Sequence, residues 1–562
     1  MQIGAISKLG RRICAAGRSL FSRGAKGRFY FYACQTGARG IYLGRPIESW
    51  AIYYRKLGIL VNKLQKARDL VRCGSFVEGL KLYATLAAQF PQVTGEYGSA
   101  AAHSGDFALA DQIWEKFHRA ESKNSKALCW LALEYGNLGL DTKSRALFTE
   151  AAHLEPGNLG VQTNLAVLLA RTSSVEEARP VVNSCLALDP RSEQPRYLSA
   201  HLDRREQKFA EAEQQLRDLL ADDLKLPQVR YACHAELAHV LDRAGRCEEA
   251  MDQLEAGKRQ ARESFDRKGW NASFEQHEKE MRRMKLLPRD ILQSWSKTFP
   301  PDVRNAVPPV AFLCGSARSG TTLFEKILDA HPAVAACDES HAFRRIQPRI
   351  DLDAPVIPAQ RLNVLREMYV RNMAMTLGAP TSGKTLLDKN PSQTAWLPAF
   401  LRMFPDLRVL IALRDPRDVI LSLYFQNQPN TNCLTFEQHA RVYVSVMEAW
   451  LAVREWEGLW WMETRYEDLV ADLSKEGSRI TKFLGLEWNE QQPKFYDYNR
   501  EKAVGSNNYG NVTQPIYRRS VGRWRDYEKY FKPILPMLEP YCWMFGYETR
   551  VGRVGSAAAS KK

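Results

Sequence analysis

A small residue returns every 34 positions in the first half of this chain, at Ala132, Ala166 and Ala200. Twelve residues after each stands a second small residue, Ser144, Ala178 and Ala212, and the same spacing joins Ala67 to Gly79, Gly98 to Ala110 and Ala238 to Ala250. Prolines follow three of the first positions by 24 residues, at Pro91, Pro156 and Pro190. Periodicity of this length implies stacked helical units rather than one closed core. Two antiparallel helices approach closely only where side chains are small, so each pair of small residues marks the two helices of one hairpin. Leu165, Leu168, Leu169, Leu198 and Leu202 fill the space around them. Proline lacks an amide hydrogen and clashes with the preceding turn, so it ends the second helix. The first step of the series is 31 and the last 38, consistent with loop insertions.

The pattern resembles the tetratricopeptide repeat, in about six copies over residues 60–262, with the large aromatic positions of the consensus mostly replaced. The resemblance implies an all-α solenoid whose concave face holds a peptide or another protein. Scaffolding or dimerising the following domain is the alternative. Residues 1–47 hold nine Lys and Arg and no acidic residue, so more than half of the formal net charge of +15 sits in this tail. The tail is expected to be disordered; its composition also suits a mitochondrial presequence, and its short, broken apolar runs make no clean secretory signal. What charge remains gives little ground for a nucleic-acid partner. No stretch of about 18 apolar residues occurs, so no transmembrane segment is expected and a cytoplasmic location is. Eleven cysteines, never spaced as CxxC, predict free thiols and neither a disulfide framework nor a zinc site.

Residues 263–308 read as a linker, charged and helical to about Met284 and then broken by Pro300, Pro301, Pro308 and Pro309. Beyond it, strand-like runs at 310–314, 385–389, 407–414 and 458–466 alternate with amphipathic stretches such as TLFEKILDA and SQTAWLPAFLRMF. That alternation predicts an α/β domain over 309–548, a parallel sheet with flanking helices, with ligands at the carboxyl ends of the strands. A flexible tail over 549–562 is expected to follow.

The run FLCGSARSGTTLFEKILDAHP reads as strand, loop and helix. Amides at a helix N-terminus hold an anion, helped by the helix dipole. Thr321 and Thr322 add hydroxyl donors and Arg318 a fixed fork. A triphosphate-binding loop would end in Gly-Lys-Ser/Thr with a magnesium carboxylate nearby. Here the loop ends Gly320-Thr321-Thr322, which disfavours a kinase-like phosphotransferase and suits a donor with a single 5′-phosphate bearing its leaving group.

This loop resembles the 5′-phosphosulfate loop of the sulfotransferases that use 3′-phosphoadenosine 5′-phosphosulfate (PAPS). A second match, VLIALRDPRDVILSLY, places Ser422 eight residues after Arg414. The resemblance implies a P-loop-like fold in which Ser319, Gly320, Thr321 and Thr322 cradle the 5′-phosphate and Arg318, with Lys389, stabilises the phosphosulfate and the departing phosphate. It implies that Arg414 and Ser422 grip the 3′-phosphate, that Tyr466 lies near the adenine, and that Arg519, Arg523 and Trp524 sit in a late loop closing over the donor. The segment LDAHPAVAACDESHAFRRI is most similar to the protein-tyrosine sulfotransferase branch, whose catalytic glutamate corresponds to Glu339. It departs from that branch at Cys337-Asp338 and Ser340-His341, where Gly-Glu and Thr-Arg would stand, and His341 is the alternative base. Lys389 corresponds to the branch's lysine at the transferring group, and Asn508 stands near its catalytic serine.

The expected function is therefore PAPS-dependent transfer of a sulfuryl group to a hydroxyl, protein tyrosine first and a glycan, lipid or small phenol next, without a metal. The repeats would bind the acceptor protein or a partner. A peptide-binding scaffold with a degenerate catalytic domain is the rival reading, and the oligomeric state is open.

Overall fold

The computed structural model describes residues 47–264, 279, 286–297, 307–427, 433–501 and 515–549, with backbone only for 47–59, 264 and 499–501. It also describes two short antiparallel strands, Phe21–Arg23 and Phe29–Phe31. The rest of the basic tail, most of the linker, the C-terminal tail and Asn508 lie outside the described residues. The chain divides into two compact units, Met1–Ser104 with Leu109–Lys116, and Gly105–Ala108 with Phe117–Lys562.

The first unit contains α1 (Ile47–Arg72), α2 (Phe76–Gln89) and α3 (Thr94–His103). Leu64, Ala67, Tyr83, Leu86 and Val93 form its core. Small residues are required there: a Cβ at Gly98 would stand 2.2 Å from the Trp114 indole nitrogen. Glu96 is held between two donors, accepting from Arg68 Nε at 2.6 Å and from the Tyr83 hydroxyl at 2.7 Å.

Helix α4 (Phe107–Glu121) leads into the second unit, where helices pair along the chain as α5 (Ser125–Gly136) with α6 (Asp141–Leu154) and α7 (Leu159–Thr172) with α8 (Val175–Leu188). Then follow α9 (Glu193–Arg205) with α10 (Phe209–Ala221) and α11 (Pro227–Arg243) with α12 (Cys247–Ser264). The small residues fall one to each helix, and Ala132, Ser144, Ala166, Ala178, Ala200, Ala212, Ala238 and Ala250 are all buried. Helices α6 and α8 stop at Leu154 and Leu188, just before Pro156 and Pro190. These are helix hairpins of tetratricopeptide type. Between hairpins, Glu236 of α11 takes a bond from Arg204 Nε and lies 2.8 Å from His201. Burial pushes its carboxyl up, but Arg204 and His201 outweigh that and hold it well below the usual range.

Five parallel strands follow: β1 (Val310–Gly315), β2 (Val334–Asp338), β3 (Thr385–Lys389), β4 (Arg408–Leu413) and β5 (Trp460–Arg465), in the order β2-β3-β1-β4-β5. The sequence reading missed β2, whose Val-Ala-Ala-Cys run carries little of the β-branched bulk that marks a strand. The central strands are buried on both faces, as a sheet covered by helices demands. One face packs Leu313, Phe324, Ile327, Leu387, Leu410 and Met462. The other carries an aromatic stack, Phe400 lying 4.7 Å from Phe312 and 4.1 Å from Phe343 between ring centroids. The linker contributes to this domain. Trp295, in the helix Ile291–Ser296, is buried edge-on to Trp456 at 5.8 Å, with the Arg402 guanidinium 4.8 Å above it.

The last helix hairpins rest on this α/β part of the same unit. Lys258 of α12 stands 4.4 Å over the ring of Tyr424, whose hydroxyl bonds Glu255. Burial draws the Lys258 ammonium down to about 8. Tyr231 donates to the carbonyl of Gln426 at 3.3 Å, Asn427 to the Tyr197 hydroxyl at 3.1 Å, and Arg262 to the carbonyl of Leu434 at 3.2 Å.

Candidate active site

Strand β1 ends at Gly315, where φ is +123° and an added Cβ would stand 2.4 Å from the carbonyl oxygen of Ala412 on β4. Only glycine lets the two backbones meet, and the chain turns there over the carboxyl edge of the sheet. Gly320 has φ +87°, and a Cβ on it would come within 2.5 Å of the Tyr466 ring. Helix α13 (Thr321–Asp329) begins at the next residue, so its first-turn amides open onto the same edge. Between the glycines, Arg318 occupies left-handed backbone with φ +71°, costing about 1 kcal/mol for a residue with a side chain.

Two arginines, the half-buried Arg318 and the buried Arg414, meet at this loop. Arg318 Nε donates to Ser422 Oγ at 3.0 Å, from the helix α14 (Pro416–Tyr424). Arg414 donates to the carbonyl of Arg318 at 3.0 Å and to that of Ser520 at 2.5 Å, and its guanidinium stacks on Tyr466 at 5.0 Å. Its Nε is buried without a hydrogen-bond partner among the described residues. Burial first, and the like charge of Arg414 second, pull Arg318 down to about 10. It remains a cation at neutral pH. One buried and one half-buried cation with an unsatisfied donor suit an anion of more than one negative charge.

At the ends of β2 and β3 sits an acid–base pair. Lys389 Nζ is 3.0 Å from Glu339 Oε1 and 3.4 Å from Thr322 Oγ1, and it also pairs with Asp338. The Lys389 side chain is fully buried, whereas that of Glu339 is 55% exposed. Burial lowers the lysine, but Asp338, Glu339 and Glu325 outweigh it and the ammonium is raised above its ordinary value. Glu339 also has left-handed backbone, φ +51°, pinned by its amide donating to the carbonyl of Lys389 at 2.8 Å.

Residues 309–490 match a family model described as the sulfotransferase family. These residues form a sulfotransferase-family domain. Over 423 residues the chain is 24% identical to an uncharacterized protein of Aquifex aeolicus, covering 72% of this chain and 53% of the other. Over 211 residues it is 25% identical to protein-tyrosine sulfotransferase 1 of Danio rerio, covering 34% of this chain and 57% of that one. The chain thus spans little more than half the length of these relatives. A tetratricopeptide repeat protein from Parabacteroides merdae overlays with a TM-score of 0.30 at 16% identity, over 35% of this chain and 78% of that one.

Within the sulfotransferase domain, Arg318, Gly320, Thr321, Thr322, Glu339, Lys389, Arg414, Ser422 and Tyr466 gather at the carboxyl edge of the sheet. Ser319 is buried in the loop, its amide bonded to the carbonyl of Ser316 at 3.2 Å. Ser422 bonds Arg318 rather than Arg414. Arg523 is engaged by the repeats, its guanidinium 2.8 Å from Asp242. Arg519 lies on the Tyr517 ring at 4.0 Å, and Trp524 is buried under Arg417 at 3.8 Å. His341 is partly buried, and burial, with Arg345 and Arg344, pushes its imidazole below the ordinary value.

Three carboxylates have partners that the sequence did not assign to them. Asp338 anchors Lys389. Asp418 accepts the amides of Gly522 at 2.7 Å and Trp524 at 2.8 Å. Asp388 of β3 takes the Tyr369 hydroxyl at 3.0 Å. The first two had a signal, Asp338 beside Glu339 and Asp418 one helical turn beyond Arg414. The sequence leaves Arg414 the alternative of a plain structural ion pair with Asp415 or Asp418; Asp415 bonds Arg417 at 2.6 Å, and Asp418 takes the two loop amides.

Proposed function

We propose that this chain is a PAPS-dependent sulfotransferase acting on a hydroxyl, with tyrosine of a protein as the first acceptor class. The reading is carried by one juxtaposition: Arg318 and Arg414 meeting at a glycine-turned loop, with the Glu339–Lys389 pair at the ends of the adjacent strands. The orphaned Nε of Arg414 fits a ligand oxygen there. Arg414 would hold the 3′-phosphate, with Ser422 beside Arg318 as a further donor. Arg318, Ser319, Gly320, Thr321 and Thr322 would hold the 5′-phosphate, and Tyr466 would flank the adenine.

Sulfuryl transfer, like phosphoryl transfer, asks the protein chiefly to align the partners and offset charge. Glu339, half exposed at the mouth, takes the proton of the incoming hydroxyl. The acceptor oxygen forms a bond to sulfur while the bond from sulfur to the phosphate oxygen breaks. Lys389, with Arg318, offsets the charge that gathers on that departing phosphate. Because Lys389 also touches Glu339, it fixes where that carboxylate stands beside the transferring group. The helix hairpins would present the acceptor protein, as their type commonly does.

Incubation of the full chain with PAPS labelled in the sulfuryl group tests the reading. Label on tyrosine of a protein or peptide acceptor is the expected result. Label only on a glycan, lipid or small phenol keeps the enzyme and corrects the acceptor. No transfer and no binding of adenosine 3′,5′-bisphosphate overturns the proposal.

A further inference from the structure

The late loop over 515–527 is gripped from two sides. On one side the sulfotransferase domain holds its backbone. Ser520 offers its carbonyl to Arg414, and Gly522 and Trp524 give their amides to the two oxygens of Asp418. On the other side it is held by a helix hairpin. Asp242, in the last turn of α11, accepts from Arg523 Nε at 3.1 Å and from the Tyr527 hydroxyl at 2.6 Å through one oxygen. The side chains of Arg523 and Asp242 are mostly buried, 21% and 16% exposed, so this is no loose surface pair.

Aromatic packing fixes the geometry further. The Arg523 guanidinium lies 4.3 Å over Phe425, which meets Tyr527 edge-on at 5.6 Å and the His239 ring of α11 at 5.3 Å. Phe425 directly follows α14, the helix that carries Asp418 and Ser422. A carboxylate of the repeats is thus linked to Arg414 through Arg523 and the carbonyl of Ser520, three positions earlier in the same loop.

We propose that Asp242 is a positioning residue for the donor pocket: by holding Arg523 and Tyr527 it sets the loop whose backbone orients Arg414. The inference rests on reading the Arg414 pocket as the donor site. Its content is that the repeats complete the enzyme's nucleotide pocket, beyond any part they play with an acceptor. Asp242 touches no substrate itself and acts through the loop.

Three variants of the full chain test it. Asp242→Ala removes both bonds, Asp242→Asn keeps an acceptor for Tyr527 and loses the charge facing Arg523, and Glu248→Ala cuts the exposed neighbouring contact to Lys529 as a control. Affinity for adenosine 3′,5′-bisphosphate is measured by calorimetry, and amide exchange at Gly522 and Trp524 without nucleotide. We expect about a ten-fold weaker affinity in Asp242→Ala, a typical coupling for a residue that acts at a distance, and a smaller loss in Asp242→Asn. Exchange at both amides speeds up in step, and Glu248→Ala changes neither. Affinity and exchange equal to wild type, in a variant that melts lower, make Asp242 merely structural and overturn the proposal. Tighter binding in Asp242→Ala overturns it too, since Asp242 would then be competing for Arg523. Wild type that fails to bind the bisphosphate removes the donor reading, and the role of Asp242 with it. Unchanged exchange beside normal wild-type binding removes the positioning role alone.

Discussion

Lys389 Nζ lies 3.0 Å from Glu339 Oε1, and the two partners differ completely in exposure. That asymmetry separates chemistry from stability. Glu339→Gln should lower kcat by about 10²-fold, the usual scale for losing a general base. Its melting temperature should hardly move, because pairs with one exposed partner contribute about 1 kcal/mol or less. Lys389→Met should lose activity and also unfold more easily, by about 3–5 kcal/mol, because Asp338 is left buried without its cation. Steady-state kinetics beside thermal melts check both halves.

Arg414 is expected to control nucleotide affinity. Arg414→Ala should weaken adenosine 3′,5′-bisphosphate by about ten- to a hundred-fold, the range for a lost charged hydrogen bond. Ser422→Ala should cost less, since Ser422 supports Arg318. Equal affinities in wild type and Arg414→Ala, by calorimetry, would place the 3′-phosphate elsewhere.

Gly320 leaves no room for a side chain. Gly320→Ala forces a Cβ against the Tyr466 ring at a left-handed position, a strain of about 1–3 kcal/mol. The expected result is a lower melting temperature together with weaker nucleotide binding. The double variant Gly320→Ala/Tyr466→Ala should recover the melting temperature in part, which a strain at some other contact would not produce.

Asp388 links stability to pH. Burial drives its carboxyl from 3.8 up to about 7, ahead of the opposing effects of Tyr369 and Lys389. The folded chain therefore holds this proton more tightly than the unfolded one. Its contribution is whole below about pH 4 and is lost as the pH rises through 7. Asp388→Asn removes that loss, so its melting temperature should gain on wild type between about pH 4 and pH 7 and level off above that. A constant difference across that range would contradict the shift.

The helical half was legible because small residues are forced wherever two helices touch, and Ala132, Ala166 and Ala200 repeat that constraint. Four of five strands were legible from apolar runs between helical patterns. The fifth, Val334–Asp338, is built from small residues, and its pairing with β3 is a tertiary matter. The loop residues could be named because strand, glycine-turned loop and helix follow one another within a single stretch of the sequence. The partnerships could not. That Ser422 meets Arg318, or that Asp242 meets Arg523 from 281 residues away, depends on packing that no local window contains.

Arg318 and Glu339 are two of the three non-glycine residues with positive φ among the described residues. Each bears a backbone penalty that a glycine would relieve. Selection for sturdiness alone would therefore replace both, and on the proposed reading the guanidinium and the carboxylate are what keep them. In a descendant that had given up its chemistry, positions 318 and 339 should be among the first to drift to glycine. Their identities in any copy of this domain are thus a gauge of whether it still works as a catalyst.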